Sequence, residues 1–133
     1  MKNCGDLTMT SDAQVMATKD MELFSKKAMA IDGSVSAGDD VEIFSCSNIQ
    51  VSGHIRSGDD VEIFSCSDII VSSTIEAADR IYLSARDNLT LLSESWLGGM
   101  NGEEARVVFL RAGDTMTLDG SISAEKIVVY KKW

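Results

Sequence analysis

Short stretches in which apolar and polar residues alternate recur along this chain with a period of 20 residues. One column of apolar positions runs Met21, Val41, Val61 and Ile81, with Leu23, Ile43, Ile63 and Leu83 two residues further on. A second runs Met29, Ile49, Ile69 and Leu89, with Ile31, Val51, Val71 and Leu91. A third runs Val35, Ile55 and Ile75, and a shift of 22 carries it on to Leu97. Period-two alternation rich in β-branched residues predicts strands with one buried face, so each period supplies three short strands. Between them stand turn formers: Gly38, Asp39 and Asp40; Cys46, Ser47 and Asn48; Ser52 and Gly53. Glycine reaches positive φ at little cost, and Asn, Asp and Ser bond their own backbone at corners. Each period therefore reads as a three-sided coil.

The register is clearest at residues 38–47, GDDVEIFSCS, which are repeated letter for letter at 58–67. A degraded copy precedes them (Asp20, Met21, Glu22, Leu23, Phe24, Ser25) and another follows (Arg80, Ile81, Tyr82, Leu83, Ser84). Leu7 and Met9 stand 22 residues before Met29 and Ile31, and Val15 stands 20 before Val35, which gives a partial first coil over 5–19. Regular coils occupy 20–95, an insertion 96–104, and final coils 105–133. After the insertion, the pattern predicts inward pairs at Val107/Phe109, Met116/Leu118 and Ile127/Val129, with Ile122 between the last two. Such coils bury their apolar edges only by stacking, and equivalent strands are then parallel. The expected fold is all-β: a single-domain parallel β-helix of about six three-sided coils, right-handed because parallel crossovers overwhelmingly are.

Composition narrows the function. The 133 residues contain no proline, which suits a chain whose backbone N–H groups nearly all enter ladders. A net charge of −9 argues against binding to nucleic acid or an anionic membrane surface. No window resembles a membrane span or an export signal, and three cysteines without CxxC spacing suit a reducing compartment, so the expected location is the cytoplasm.

Stacking also places polar residues in columns. Asp39, Asp59, Asp40, Asp60, Glu42 and Glu62 form carboxylate ladders that either cap corners and face solvent or gather a hard cation such as calcium; the usual glycine-rich calcium-repeat signature is missing. Cys46 and Cys66 fall above one another as free thiols, at a spacing that a disulfide tolerates but with parallel side chains that suit it poorly. Zinc would have only His54 and Cys4 as further ligands. Phe24, Phe44 and Phe64 form an aromatic column on the outward parity and, with Trp96 and Trp133, are the candidate interaction residues. His54 beside Arg56 forms no catalytic constellation, and no nucleophile elbow, phosphate loop, dinucleotide fingerprint or zinc-protease motif occurs. The chain is thus expected to be non-enzymatic and to need no cofactor.

Residues 55–92, IRSGDDVEIFSCSDIIVSSTIEAADRIYLSARDNLTLL, resemble the coil repeats of filamentous haemagglutinin-type adhesins. The Gly-Ser-Ile-Ser-Ala run at 120–124, among short apolar pairs, is similar to bactofilins, the polymer-forming cytoskeletal proteins. Either resemblance implies a right-handed β-helix with a structural or binding role. The expected function is a structural solenoid that forms a homo-oligomer or polymer end to end. The alternative is an adhesin with a carbohydrate or protein partner. Below these stand an acidic mimic of nucleic acid and a small polysaccharide-acting enzyme.

Overall fold

The computed structural model describes residues 2–3 and 5–131, and in it the chain winds as a β-solenoid of about six turns. Three parallel sheets form its sides. The first, seven-stranded, contains Lys2–Asn3, Met21–Ser25, Val41–Ser45, Asp60–Ser65, Arg80–Ala85, Ala105–Ala112 and Ala124–Lys131 in spatial order. The second and third sheets have six strands each, and each turn of the chain adds one strand to every side. All recorded pairings are parallel.

The register follows the apolar columns. Met21 lies under Val41, Val61 and Ile81, and Leu23 under Ile43, Ile63 and Leu83, just as the 20-residue spacing predicts. Leu7 pairs with Met29, Val15 with Val35 and Ile75 with Leu97, so the partial first coil and the shift of 22 also hold. These inward residues are buried, most of them completely, in one continuous core, with Val15 partly buried against its end. In-register stacking places like on like, so each Ile or Val fills the space left by its counterpart one coil below.

Two expectations near the insertion need correction. Trp96–Gly98 is a strand of the third sheet, paired with Thr74, Ile75 and Glu76, so the extra chain is confined to 99–104. Val107 and Phe109 do not point inward: Ile81 pairs with Val108 and Leu83 with Leu110, and it is Val108 and Leu110 that are buried. The cause is a bulge. The N–H groups of Arg106 and Val107 both donate to the Asp79 carbonyl, at 2.7 and 3.2 Å, which inserts one residue and reverses the parity of the strand. Four consecutive apolar residues, Val107 to Leu110, hide that slip from any pattern reading.

Corners are held by two devices. Ser25, Ser45 and Ser65 are fully buried at the end of their strands. Each hydroxyl accepts from the N–H two residues on, at 3.0–3.2 Å, and donates to a carbonyl of the coil below, at 2.5–2.6 Å. At the neighbouring corners, aspartate and asparagine side chains take the N–H of the next coil: Asp20 from Asp40, Asp40 from Asp60, Asn48 from Asp68 and Asp68 from Asn88, at 3.0–3.3 Å. Gly58 stacks so closely on Gly38 that a Cβ there would lie 1.9 Å from the carbonyl oxygen below. Backbone polar groups are thus satisfied even where the chain turns.

Removing part of a column should be costly. Ile63→Ala is expected to lose about 2–5 kcal/mol of stability, whereas Gln50→Ala, on an exposed outward position, should change it by about 0.5 kcal/mol or less. Equilibrium urea denaturation measures both; similar values would contradict the assigned parity.

Candidate functional site

The outward face of the first sheet carries stacked columns of glutamate and phenylalanine. In Met21–Ser25, Val41–Ser45 and Asp60–Ser65 the inward positions alternate with Glu22, Glu42 and Glu62 and with Phe24, Phe44 and Phe64. Register then stacks glutamate on glutamate and ring on ring. Phe24 and Phe44 have centroids 5.2 Å apart and Phe44 and Phe64 5.1 Å apart, with planes within 1° of parallel. The three rings are half-buried, standing against one another rather than lying free. Tyr82 occupies the next position of the glutamate column and stacks on Phe109, 4.5 Å away, so the aromatic band changes column there. Together Glu22, Glu42 and Glu62, the three phenylalanines and Tyr82 line a groove of about 360 Å³.

Electrostatics sets the glutamate column apart. The Glu42 carboxyl is pushed above its ordinary range by burial, then by Glu62 and Glu22 on either side, then by Asp40 and Asp20. The aspartate column beside it ends differently. Asp60 is followed by Arg80, which bonds its carboxylate at 2.8 Å, and Asp79 is bonded by Arg106. The Arg106 hydrogen bond holds Asp79 below its ordinary value. Asp59, by contrast, is raised by Asp60 first, then by burial, Asp40 and Asp79.

The remaining sequence candidates are distributed as follows. Asp40, Asp59 and Asp60 bring carboxylate oxygens within 4.8 Å of one another, but Asp39, Glu42 and Glu62 do not join them. Two of the three are already engaged, Asp40 by the Asp60 N–H and Asp60 by Arg80. Cys46 and Cys66 are free thiols. Burial pushes the Cys66 thiol up, the adjacent Cys46 adds to this, and Arg86 opposes it. Trp96 belongs to the third sheet, away from the phenylalanines, and its indole lies against Gly98, where a Cβ would sit 2.4 Å from the ring. Trp133 and Cys4 lie outside the described residues.

One cluster escapes a reading by pattern. On the third sheet Glu76 lies 3.3 Å from His54 Nε2 and 3.5 Å from Arg56 Nε. Arg56 also donates to Met100 Sδ and to Asn101 Oδ1, both at 3.2 Å, which fastens the 99–104 loop over that sheet. Asn101, at φ 57°, and Gly102, at φ 79°, make the left-handed turn that folds the loop back. These partners are 20 to 45 residues apart, so only the stacking register brings them together.

Compared with known protein families, curated proteins and solved structures, the chain matches none.

The carboxylate columns predict a pH dependence. Glu42 and Asp59 hold protons more tightly in the folded chain than in the unfolded one, so they contribute stability as pH falls through their raised values. Asp79 works in the opposite sense, but its lowered value keeps it ionised until stronger acid. The melting temperature should therefore rise as the pH falls from neutral towards the ordinary carboxylate range, about pH 4, and less so in Glu42→Gln. Calorimetry across that range checks it; a fall in melting temperature would contradict the assignment.

Proposed function

We propose that the chain is a non-enzymatic structural β-solenoid that associates with further copies of itself through its last coil, in the manner the bactofilin resemblance implies. One observation carries this reading. The last coil presents inward-parity apolar residues to solvent: Ile127 and Val129 continue the buried columns of Val108 and Leu110 yet are 47% and 52% exposed, and Leu118 is 40% exposed. Beside them, Ala124–Lys131 is eight residues long and, among the described residues, pairs with Ala105–Ala112 alone. An apolar deck bordered by a long strand edge is the surface on which a further strand adds, since backbone groups supply the hydrogen bonds and the deck supplies the burial.

Sedimentation velocity over a range of concentrations, with electron microscopy of the same samples, tests this. Oligomers or filaments are expected. Ile127→Lys with Val129→Lys should weaken association by about tenfold or more, because burying each of these side chains contributes on the order of 1.5 kcal/mol. A chain that stays monomeric at high concentration would overturn the proposal.

A further inference from the structure

The repeated decapeptide carries its cysteine twice, so Cys46 and Cys66 fall in one column, at the corner where the first sheet gives way to the second. The register holds there. The Cys46 N–H donates to the Ser25 carbonyl, the Cys66 N–H to the Ser45 carbonyl and the Arg86 N–H to the Ser65 carbonyl, each at 3.0 Å. Lys26, Cys46, Cys66 and Arg86 therefore occupy successive rungs, two thiols between two cationic residues.

The two thiols are in contact. Their side chains are hydrogen-bonded to one another, and Cys66, whose proton is held more tightly by burial and then by Cys46, is the donor. Cys46 is exposed, whereas Cys66 is half-buried. A reagent in solution thus meets Cys46 first, with Cys66 at contact distance behind it, which is the arrangement of an attacking and a resolving thiol.

Coil geometry decides how firmly such a pair closes. Equivalent atoms of successive coils lie about 4.8 Å apart, within the Cα range of a disulfide but about 1 Å beyond its usual Cβ separation of about 3.8 Å. Both cysteines lie on bends just past their strands, Val41–Ser45 and Asp60–Ser65, where side chains no longer stand perpendicular to a sheet. Closure there is feasible but strained, and a strained disulfide is readily reduced again. The cationic ends of the column act on the same chemistry. Arg86 favours the thiolate of Cys66, and with Lys26 it gives an acidic molecule a local site attractive to an anionic reagent.

We propose that Cys46 and Cys66 are a reversible modification site, which an anionic low-molecular-weight disulfide converts to a disulfide between neighbouring coils. The Cys46 thiolate attacks one sulfur of the reagent, displacing a small thiolate and leaving a mixed disulfide. Cys66 then gives up its proton, and its thiolate attacks the Cys46 sulfur and expels the second small thiolate. One protein dithiol and one reagent disulfide become one protein disulfide and two small thiols. The two electrons and two protons that the protein loses are those the reagent gains.

Incubating the full chain with glutathione disulfide, over a range of oxidised to reduced glutathione, and mapping its peptides by mass spectrometry tests the proposal. The expected product is a Cys46–Cys66 cross-link within one chain, lost again in excess reduced glutathione. In Cys66→Ser the reaction should stop at the glutathione adduct of Cys46. In Cys46→Ser the remaining Cys66 should react about tenfold more slowly than Cys46 does in Cys66→Ser. Lys26→Glu should slow the reaction severalfold with glutathione disulfide but not with the neutral 2-hydroxyethyl disulfide. Circular dichroism checks that each variant is folded. Any of four results would overturn the proposal: no cross-link in fully oxidised glutathione; adducts that persist on both cysteines; a cross-link only between chains, or to Cys4 instead; or Cys66 reacting as fast as Cys46.

Discussion

Everything in this molecule depends on the backbone hydrogen bonds between successive coils, which fix each residue directly over its counterpart about 20 positions earlier. Parallel in-register pairing leaves a residue no choice of neighbour, so each position along the period becomes a column running the length of the stack. For apolar residues the consequence is favourable: Val41, Val61 and Ile81 make one unbroken core from side chains that could not form one within a single coil. For charged residues the same constraint is adverse, since it stacks carboxylate over carboxylate at the strand spacing of about 5 Å. Corner aspartates answer it by accepting the N–H of the next coil, and where the column ends, arginine takes over. On the flat of the sheet the repulsion shows at Glu42, whose carboxyl is raised by burial and by Glu62 and Glu22 on either side.

Much of the architecture was legible because the period is a physical quantity. A coil that must return to its starting edge has a fixed contour length, and the alternation within it says which residues face in; hence the columns of Ile43, Ile49 and Ile55 could be read from letters alone. Reading stopped where phase is carried by the backbone. The doubled hydrogen bonds to the Asp79 carbonyl that turn Val108 and Leu110 inward leave no trace in a run of four apolar residues. The buried serines were equally hidden, because Ser45 and Ser47 are the same letter with opposite surroundings, one sealed at the corner and one outside it.

The candidate surface was half legible. Stacking of Phe24, Phe44 and Phe64 followed from the register, but whether the rings present faces or edges did not, and that orientation separates a sugar platform from an apolar wall. Likewise, the aspartates and glutamates read as equivalent ladders; only their partners distinguish them. Trp96, read as part of the insertion, is committed to Gly98, while His54 and Arg56, read as no catalytic constellation, are joined across coils by Glu76. A residue type says little in such a fold until its column is known.

The exact repetition of GDDVEIFSCS has a consequence for how the molecule can change. Because residues 38–47 and 58–67 are identical, excising 38–57 would leave every junction with the peptide sequence it has now. One whole coil would go, together with Glu42 and Phe44, and the remaining coils would close on one another as Glu22 over Glu62 and Phe24 over Phe64. Duplication of the same segment would add a rung in the same seamless way. The stack is therefore a ruler graduated in coils, and the length of its outer groove is set by how many copies of one twenty-residue unit the chain carries.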